Sequence, residues 1–492
     1  MRVEKILKIH IIICTMTLLG SIKKILRKSR PGLIIMIPVF LGCETEGDIG
    51  LQYELESDAD VRYIEYTLPA TNIRIDSLRT DEEVSDNRIL VGNYFDGLIG
   101  SVSAESYFSV RFSGGTLPNG VIETDFIYDS IRFAFSTYRS IPRNIPSIQS
   151  FSLYQLQDTL TSLVRLSNRS EPLGDFVASY EVNFERDTLT SNIEIPKEIG
   201  QQVFNLIQED STSLIFSQWP SFALVPNESS TSISEFLLTD DTTAFYMYVT
   251  DPNFEKVVGG DTTIIDSTFV AEFSFSSATS PHYTYLNRDN SVGLLNMSAD
   301  KEKLDLSGGQ TVIDPLGGVS TSFSVPELQS FFEDNDPIGN PIIINNVVLS
   351  FELEGSTTRD TLESFYAFFE TNGDFFGSGL QVNPFKNLVM SDGAYLGAAA
   401  VAATSSLGDE KDEIILNPTL FFQTLYRNFY NTELLDNLGI SEPGLFITDV
   451  TGEEYRTIDG FVLLSTTDIT MERVILKENG IKLGIYYTEV NQ

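Results

Sequence analysis

The sequence predicts a mainly β protein, made of antiparallel β-sandwich-like modules with a few short helices. Three observations predict it. Apolar residues alternate with polar ones at period two in one run after another, which puts one face of a strand on a core. Phe and Tyr are abundant, 34 and 20 of 492 residues, a composition suited to pleated surfaces. Turn chemistry recurs between the runs, at Ser113-Gly114-Gly115, Pro118-Asn119-Gly120, Gly317-Gly318 and Asn372-Gly373-Asp374.

The chain opens with two short apolar runs, 9–20 and 32–42, separated by Lys23-Lys24-Ile25-Leu26-Arg27-Lys28-Ser29-Arg30. Neither run reaches the roughly 18 to 20 apolar residues that span a bilayer as a helix. A basic stretch followed by about 7–15 apolar residues is the layout of a secretory signal. The second run ends in Phe40-Leu41-Gly42-Cys43, a small residue beside a cysteine after a bulky apolar pair. This pattern predicts cleavage between Gly42 and Cys43 and acylation of the Cys43 thiol. Phe40 stands where Leu is usual. The competing reading is a buried apolar segment with an incidental cysteine. A start at Met16 would give a leader of ordinary length; a two-segment membrane anchor is the alternative.

Removal of residues 1–42 takes away eight of the 32 basic residues and one of the 69 acids, leaving 24 against 68 and a net charge of −44. Repulsion of that size opposes an anionic-surface partner and excludes nucleic acid. The charge is spread rather than blocky, as on a solvated surface. Cys43 is then the one cysteine left, so the body has no disulfide and is stable through its core alone. With 42% apolar residues there is ample material for one.

A short acidic tether, 43–50, leads to two expected β-rich modules, 51–228 and 236–492. They are divided at the polar stretch Asn227-Glu228-Ser229-Ser230-Thr231-Ser232. In chain order the strand patterns are Phe108/Val110/Phe112, Ile131/Phe133/Phe135, Phe245/Met247/Val249, Phe269/Ala271/Phe273/Phe275, Val347/Leu349/Phe351/Leu353 and Leu483/Ile485/Tyr487. Helices are expected at 196–207, where Ile199, Val203, Leu206 and Ile207 form one stripe behind Pro196, and after Asn417-Pro418, where Phe421, Leu425 and Phe429 recur. Val325-Pro326-Glu327-Leu328 begins another turn or two.

Taken in order, these segments resemble a family of Bacteroidota outer-membrane lipoproteins carrying domain of unknown function 4270. The resemblance covers nearly the whole chain after Cys43. It rests on Asp48-Ile49-Gly50, Ile89-Leu90-Val91-Gly92-Asn93-Tyr94-Phe95-Asp96-Gly97-Leu98-Ile99-Gly100, Asp129-Ser130-Ile131-Arg132-Phe133 and Ser152-Leu153-Tyr154-Gln155-Leu156. Further on come Asn287-Arg288-Asp289-Asn290-Ser291, Ile342-Ile343-Ile344-Asn345-Asn346-Val347-Val348-Leu349 and Gly484-Ile485-Tyr486-Tyr487-Thr488. Departures fall at Gly97, where proline is usual, and at Pro220-Ser221-Phe222, where a glycine is expected. The resemblance implies an outer-membrane lipoprotein and no assigned activity. In that phylum acids directly after the acylated cysteine can direct export to the outer face; Glu44-Thr45-Glu46-Gly47-Asp48 suits such a signal and implies surface exposure.

Chemistry is sparse. His10 leaves with the leader, so His282 would have to serve any Ser/His or Cys/His mechanism alone; its setting, Pro281-His282-Tyr283, reads as a strand or loop edge. No Gly-x-Ser-x-Gly elbow and no phosphate-binding Gly-rich loop is present. His and Cys ligands for zinc are lacking, and neither metal nor cofactor is expected. Two acids about 5–10 Å apart suffice for glycoside hydrolysis, and 68 acids offer many pairs, each more simply read as surface charge. Glu333-Asp334-Asn335-Asp336 and Asp58-Ala59-Asp60 offer oxygens for calcium but not the EF-hand spacing. A recurrent Asp-Ser/Thr-apolar (or Thr) tripeptide is similar to the O-glycosylation acceptor of Bacteroidota exported proteins. It marks Ser77, Ser130, Thr159, Thr188, Thr262 and Thr361, and equally fits turn-to-strand transitions.

The sequence therefore points to a lipid-anchored outer-membrane protein that binds an outer-membrane protein or a glycan without enzymatic chemistry. A carboxylate-dependent glycan-active enzyme and a structural or adhesive surface component are the alternatives.

Overall fold

A computed structural model describes residues 60–76, 78, 80, 87–112, 115–117, 122–123, 125–141, 148–161, 165–183, 190–208, 221–238, 243–275, 280–335, 340–354, 359, 365–371, 374–375, 413–430, 444–448, 455–465 and 470–490. Among the described residues the architecture is mainly β, with 57% in strands and 12% helical. All strand pairings among the named strands are antiparallel. They build one twelve-stranded, one six-stranded, one five-stranded and one two-stranded sheet.

Period-two alternation accounts for the large sheet. In strand Ile127–Ile141, Ile131, Phe133 and Phe135 are at most 1% exposed, while Arg132 faces solvent. Its partner Ala244–Val258 buries Phe245, Met247 and Val249 in register, Phe245 lying opposite Phe133 with ring centroids 4.5 Å apart. On the outer side the Arg132 guanidinium sits 4.9 Å from the Tyr248 ring. Strand Phe222–Pro226 lies five places from Ala244–Val258 in the strand order. On a flat sheet that is about 24 Å. Yet Phe222 and Phe245 meet ring to ring at 4.8 Å. The sheet therefore curls over on itself around a phenylalanine core that includes Phe108, Phe151, Phe236 and Phe273.

Helix α1, Lys197–Gln208, closes one side of that core. Its buried face is Gly200, Val203, Phe204 and Ile207; of the expected stripe Val203 and Ile207 are buried and Ile199 and Leu206 partly so, while Gly200 and Phe204 stood outside it. Gly200 lets it come close: a Cβ there would stand 2.0 Å from the Tyr128 hydroxyl.

The other two main sheets share a second core. The five-stranded sheet has the order Val61–Thr67, Val474–Glu489, Ile342–Leu353, Glu413–Leu416, with Thr311–Ile313 also on Val474–Glu489. The six-stranded sheet contains Ala70–Arg74, Val319–Phe323, Gly460–Ser465 and Phe365–Thr371 in that succession. Phe323 and Phe351 bridge the two at 6.1 Å. Helices α2, Pro326–Asp334, and α3, Thr419–Phe429, add Phe331, Phe332, Phe421, Phe422, Leu425 and Phe429 to this core. Among the described residues no helix is long and apolar enough to cross a membrane, which leaves strands unaddressed.

The modules are not consecutive, as the division into 51–228 and 236–492 expects. Strands Val61–Thr67 and Ala70–Arg74 pair with Val474–Glu489 and Val319–Phe323, near the far end of the chain. Strands from 244 to 289 belong instead to the large sheet. Residues 60–492 group as one compact unit, and the leader and tether lie outside the described residues. The stretch 227–232 is not a linker but a polar turn that buries Ser230 and Ser232 and leaves Glu228, Ser229 and Thr231 exposed. Gln149 Oε1 accepts from Ser230 Oγ at 2.9 Å and from the Thr231 amide at 3.1 Å; Asn227 exchanges side-chain hydrogen bonds with Ser150 and Ser152. Its polarity satisfies buried groups that a linker would leave to water.

Candidate functional site

Of the residues marked in the sequence, Gly42, Cys43, Ser77, Thr188 and Thr361 lie outside the described residues. Ser130 is half-buried in strand Ile127–Ile141, and the neighbouring Asp129 carboxylate accepts from Thr250 Oγ1 at 2.7 Å. Thr159 and Thr262 are both exposed, Thr262 beside the Gly259-Gly260 turn of the longest hairpin. His282 is 2% exposed at the start of strand His282–Asp289, its Nδ1 3.0 Å from the Ser280 carbonyl oxygen. Asn335 caps helix α2, its side-chain amide donating to the Phe331 carbonyl at 2.7 Å; Asp336, Asp58 and Ala59 lie outside the described residues. Among the described residues no group of three His, Cys, Asp or Glu converges as metal ligands.

What the fold does bring together is a set of buried charges. Asp314, fully buried, takes a two-pronged contact from Arg359, NH1 to Oδ2 at 2.6 Å and NH2 to Oδ1 at 3.0 Å. Arg473 reaches Asp96 Oδ2 at 3.0 Å and Asp314 Oδ2 at 3.8 Å. Asp96 also accepts from the Leu98 amide and the Tyr94 hydroxyl. One residue earlier, Glu472 pairs with Arg139 at 2.8 Å, and Arg139 pairs in turn with the fully buried Glu235. Arg88 stands 3.1 Å from the other oxygen of Glu235. The backbone at 471–472 joins in, its carbonyls accepting from Arg359. Acids and bases thus alternate along a seam that ties strands of the large sheet to the segment 470–473 leading into strand Val474–Glu489.

Arg288 does the same beside it, donating to the carbonyls of Leu316, Pro315 and Asp76 at 2.9–3.0 Å. Asn290 donates to Ile99 and Gly317 carbonyls at 2.8 and 3.0 Å. Gly100, at φ +93°, admits this approach, since a Cβ would stand 2.1 Å from the Asp289 carbonyl oxygen. Segments 89–100 and 287–291, two of those carrying the family resemblance, therefore meet here. Their polar residues hold the fold together.

Electrostatically the seam is quiet. Burial raises the Asp96 carboxyl, but Arg473, the Leu98 amide and Arg359 outweigh it and hold the group below the usual carboxylate range. Arg139 loses by burial and gains more from Glu235 and Glu472, so its proton is held more firmly. An acid poised to give a proton at neutral pH would need the opposite shift.

A second cluster sits on the outer side of the large sheet. Tyr107 and Tyr283 are buried with rings 5.0 Å apart; their hydroxyls donate to Glu105 and Glu171 at 2.9 and 3.1 Å. Burial first, then the neighbouring carboxylates, push both phenols far up. Arg165 lies 3.7 Å from Glu171. An apolar recess is lined by Ile75, Leu78, Ile313, Pro315, Val319 and Leu464 among others, without an acid.

The third feature is exposed. On the outward face of the five-stranded sheet Tyr63 lies opposite Tyr486, ring centroids 4.6 Å apart. The Tyr63 ring covers Gly484, and its hydroxyl donates to Glu65 at 2.6 Å, a bond that with burial pushes the phenol up to about 12. Val61 and Ile343 flank the rings across Thr488, both 56% exposed. The sequence carries the signal in Ile343 and Tyr486, which stand at the outward positions of segments 342–349 and 484–488.

No family model, no curated protein and no solved structure matches the chain.

Proposed function

We propose that this chain is a lipid-anchored outer-membrane lipoprotein of the family carrying domain of unknown function 4270. Its β body binds an outer-membrane protein or a glycan, without enzymatic chemistry, at the cell surface. The observation that carries the reading is Phe40-Leu41-Gly42-Cys43, placed where a basic flank and an apolar run end. The acidic β body, with its ionised seam neutralised in pairs, supports a binding rather than a proton-transferring role. Exposed Thr159 and Thr262 are the described positions best placed to carry O-glycans. The test is production in a Bacteroidota host with radiolabelled fatty acid. The wild type takes up label and fractionates with the outer membrane; Cys43→Ser does neither. Equal labelling of the two would sink the reading.

The glycan-active alternative has one observation in its favour, the two carboxylates Glu105 and Glu171 beside the Tyr107/Tyr283 pair. Sugar release by the purified protein that disappears in Glu105→Gln or Glu171→Gln would establish it over the binding role.

A further inference from the structure

The exposed apolar residues of the five-stranded sheet gather at one corner. Val61, Tyr63, Ile343, Tyr486 and Val490 are between 38% and 56% exposed. The register puts them on one face: Val61 and Ile343 flank Thr488 from either side, Tyr63 is opposite Tyr486, and Val490 follows two residues on. The opposite face of the same strands, with Ile64, Ile344, Ile485 and Tyr487, already packs on the core and helices. A cluster of this kind marks an interaction site rather than scattered surface residues.

We infer that this corner docks on the bilayer that carries the anchor, at the boundary of headgroups and acyl chains. The inference rests on the lipoprotein reading above. The chain enters strand Val61–Thr67 at this very corner, with only residues 44–60 between it and Cys43. Seventeen residues reach at most about 60 Å even fully extended, so a lipid on Cys43 keeps the corner close to the membrane. Composition favours lipid over sugar. Aliphatic Val61, Ile343 and Val490 surround two tyrosines, the pairing of apolar body and polar tip that suits the interface. The polar groups between them, Asn345 Nδ2 and Thr488 Oγ1, are already bonded to each other at 2.8 Å. Of the charges at the rim, Arg62 pairs with Glu489, and Glu65 accepts from the Tyr63 hydroxyl.

The test places a fluorescent indole on each side of the molecule. The lipoprotein is purified from membranes with its single tryptophan removed (Trp219→Phe) and either Ile343→Trp or Val257→Trp introduced. Both positions are solvent-exposed, the second at the hairpin tip of the large sheet. In vesicles of brominated phosphatidylcholine, quenching at position 343 should exceed that at 257 by about two-fold or more, as interfacial burial demands. Adding Val490→Asp should reduce it. Equal quenching at the two positions, or no response to Val490→Asp, overturns the docking. Mass spectrometry of the same samples reads the acyl group on Cys43 separately. If it is missing, the anchoring reading falls, and the quenching is repeated with Cys43 coupled to maleimide lipid, which decides docking on its own.

Discussion

Buried charge dominates the residue scale. Asp314 and Glu235 are fully buried, and each depends on a guanidinium. Removing one partner of such a pair strands the other, at a cost of about 3–5 kcal/mol. Arg359→Met is therefore expected to lower unfolding free energy by that order in urea titration. Asp314→Asn together with Arg359→Met should recover part of it, because no charge is then left alone. Among the seam carboxyls Asp96 contributes a pH dependence. Its folded carboxyl lies below the ordinary value of 3.8, so the stability it contributes is present above that value and is lost as pH falls through the folded one. Asp96→Asn should thus be less stable than wild type at pH 7, with the gap closing below pH about 4; a pH-independent gap in thermal melts would refute the assignment. In the sequence these residues were indistinguishable from surface charge, because Asp, Glu and Arg are mostly exposed. Only Asp96, Arg288 and Asn290 stood in segments that drew notice, and there for resemblance rather than for burial.

At the scale of single elements, local pattern and structure agree closely. The stripe at 196–207 became helix α1 at 197–208, the turn after Val325 extended to Asp334, and the run after Pro418 became α3. Helix α3 buries Phe421, Leu425 and Phe429 as their spacing predicts, and α1 buries Val203 and Ile207 fully but Ile199 and Leu206 only in part. Helix α1 also shows what period does not reveal: Gly200 sits under Tyr128 and Ile131 because the helix crosses the sheet there. Gly200→Leu is expected to push α1 off the sheet and to cost about 1–3 kcal/mol, read by denaturant melts, as overpacking does elsewhere. The polar run at 227–232 illustrates the converse error. Serines and asparagine without apolar periodicity read as a linker, yet the same hydroxyls and amides satisfy Gln149 and the neighbouring strands. Composition reports polarity and is silent on whether water or protein meets it.

Across the described residues the first strand is joined to the last. Seven consecutive residues of Val61–Thr67 pair with Val474–Glu489, which also pairs with Ile342–Leu353 and Thr311–Ile313. Deleting residues 481–492 should therefore expose the core of the five-stranded sheet, including Phe351 and α3. Limited proteolysis is expected to cut the body of the five- and six-stranded sheets rapidly while the twelve-stranded sheet persists longer. Simultaneous loss of both would show instead that the charge seam couples them fully.

Alternation within a strand depends only on which face meets a core, so residues a few positions apart carry the information. That is why the β class, the short helices and the inward-facing phenylalanines could be read from the sequence by itself, as could the basic-apolar-cysteine pattern at the start. Partner choice depends on contacts between residues hundreds of positions apart, which no local period records. The tertiary structure alone decided that the first strand pairs with the last, that the large sheet curls on itself, and that Asp96, Asp314, Arg359 and Arg473 share one buried seam. It alone also set Val61, Tyr63, Ile343 and Tyr486 side by side on an open face.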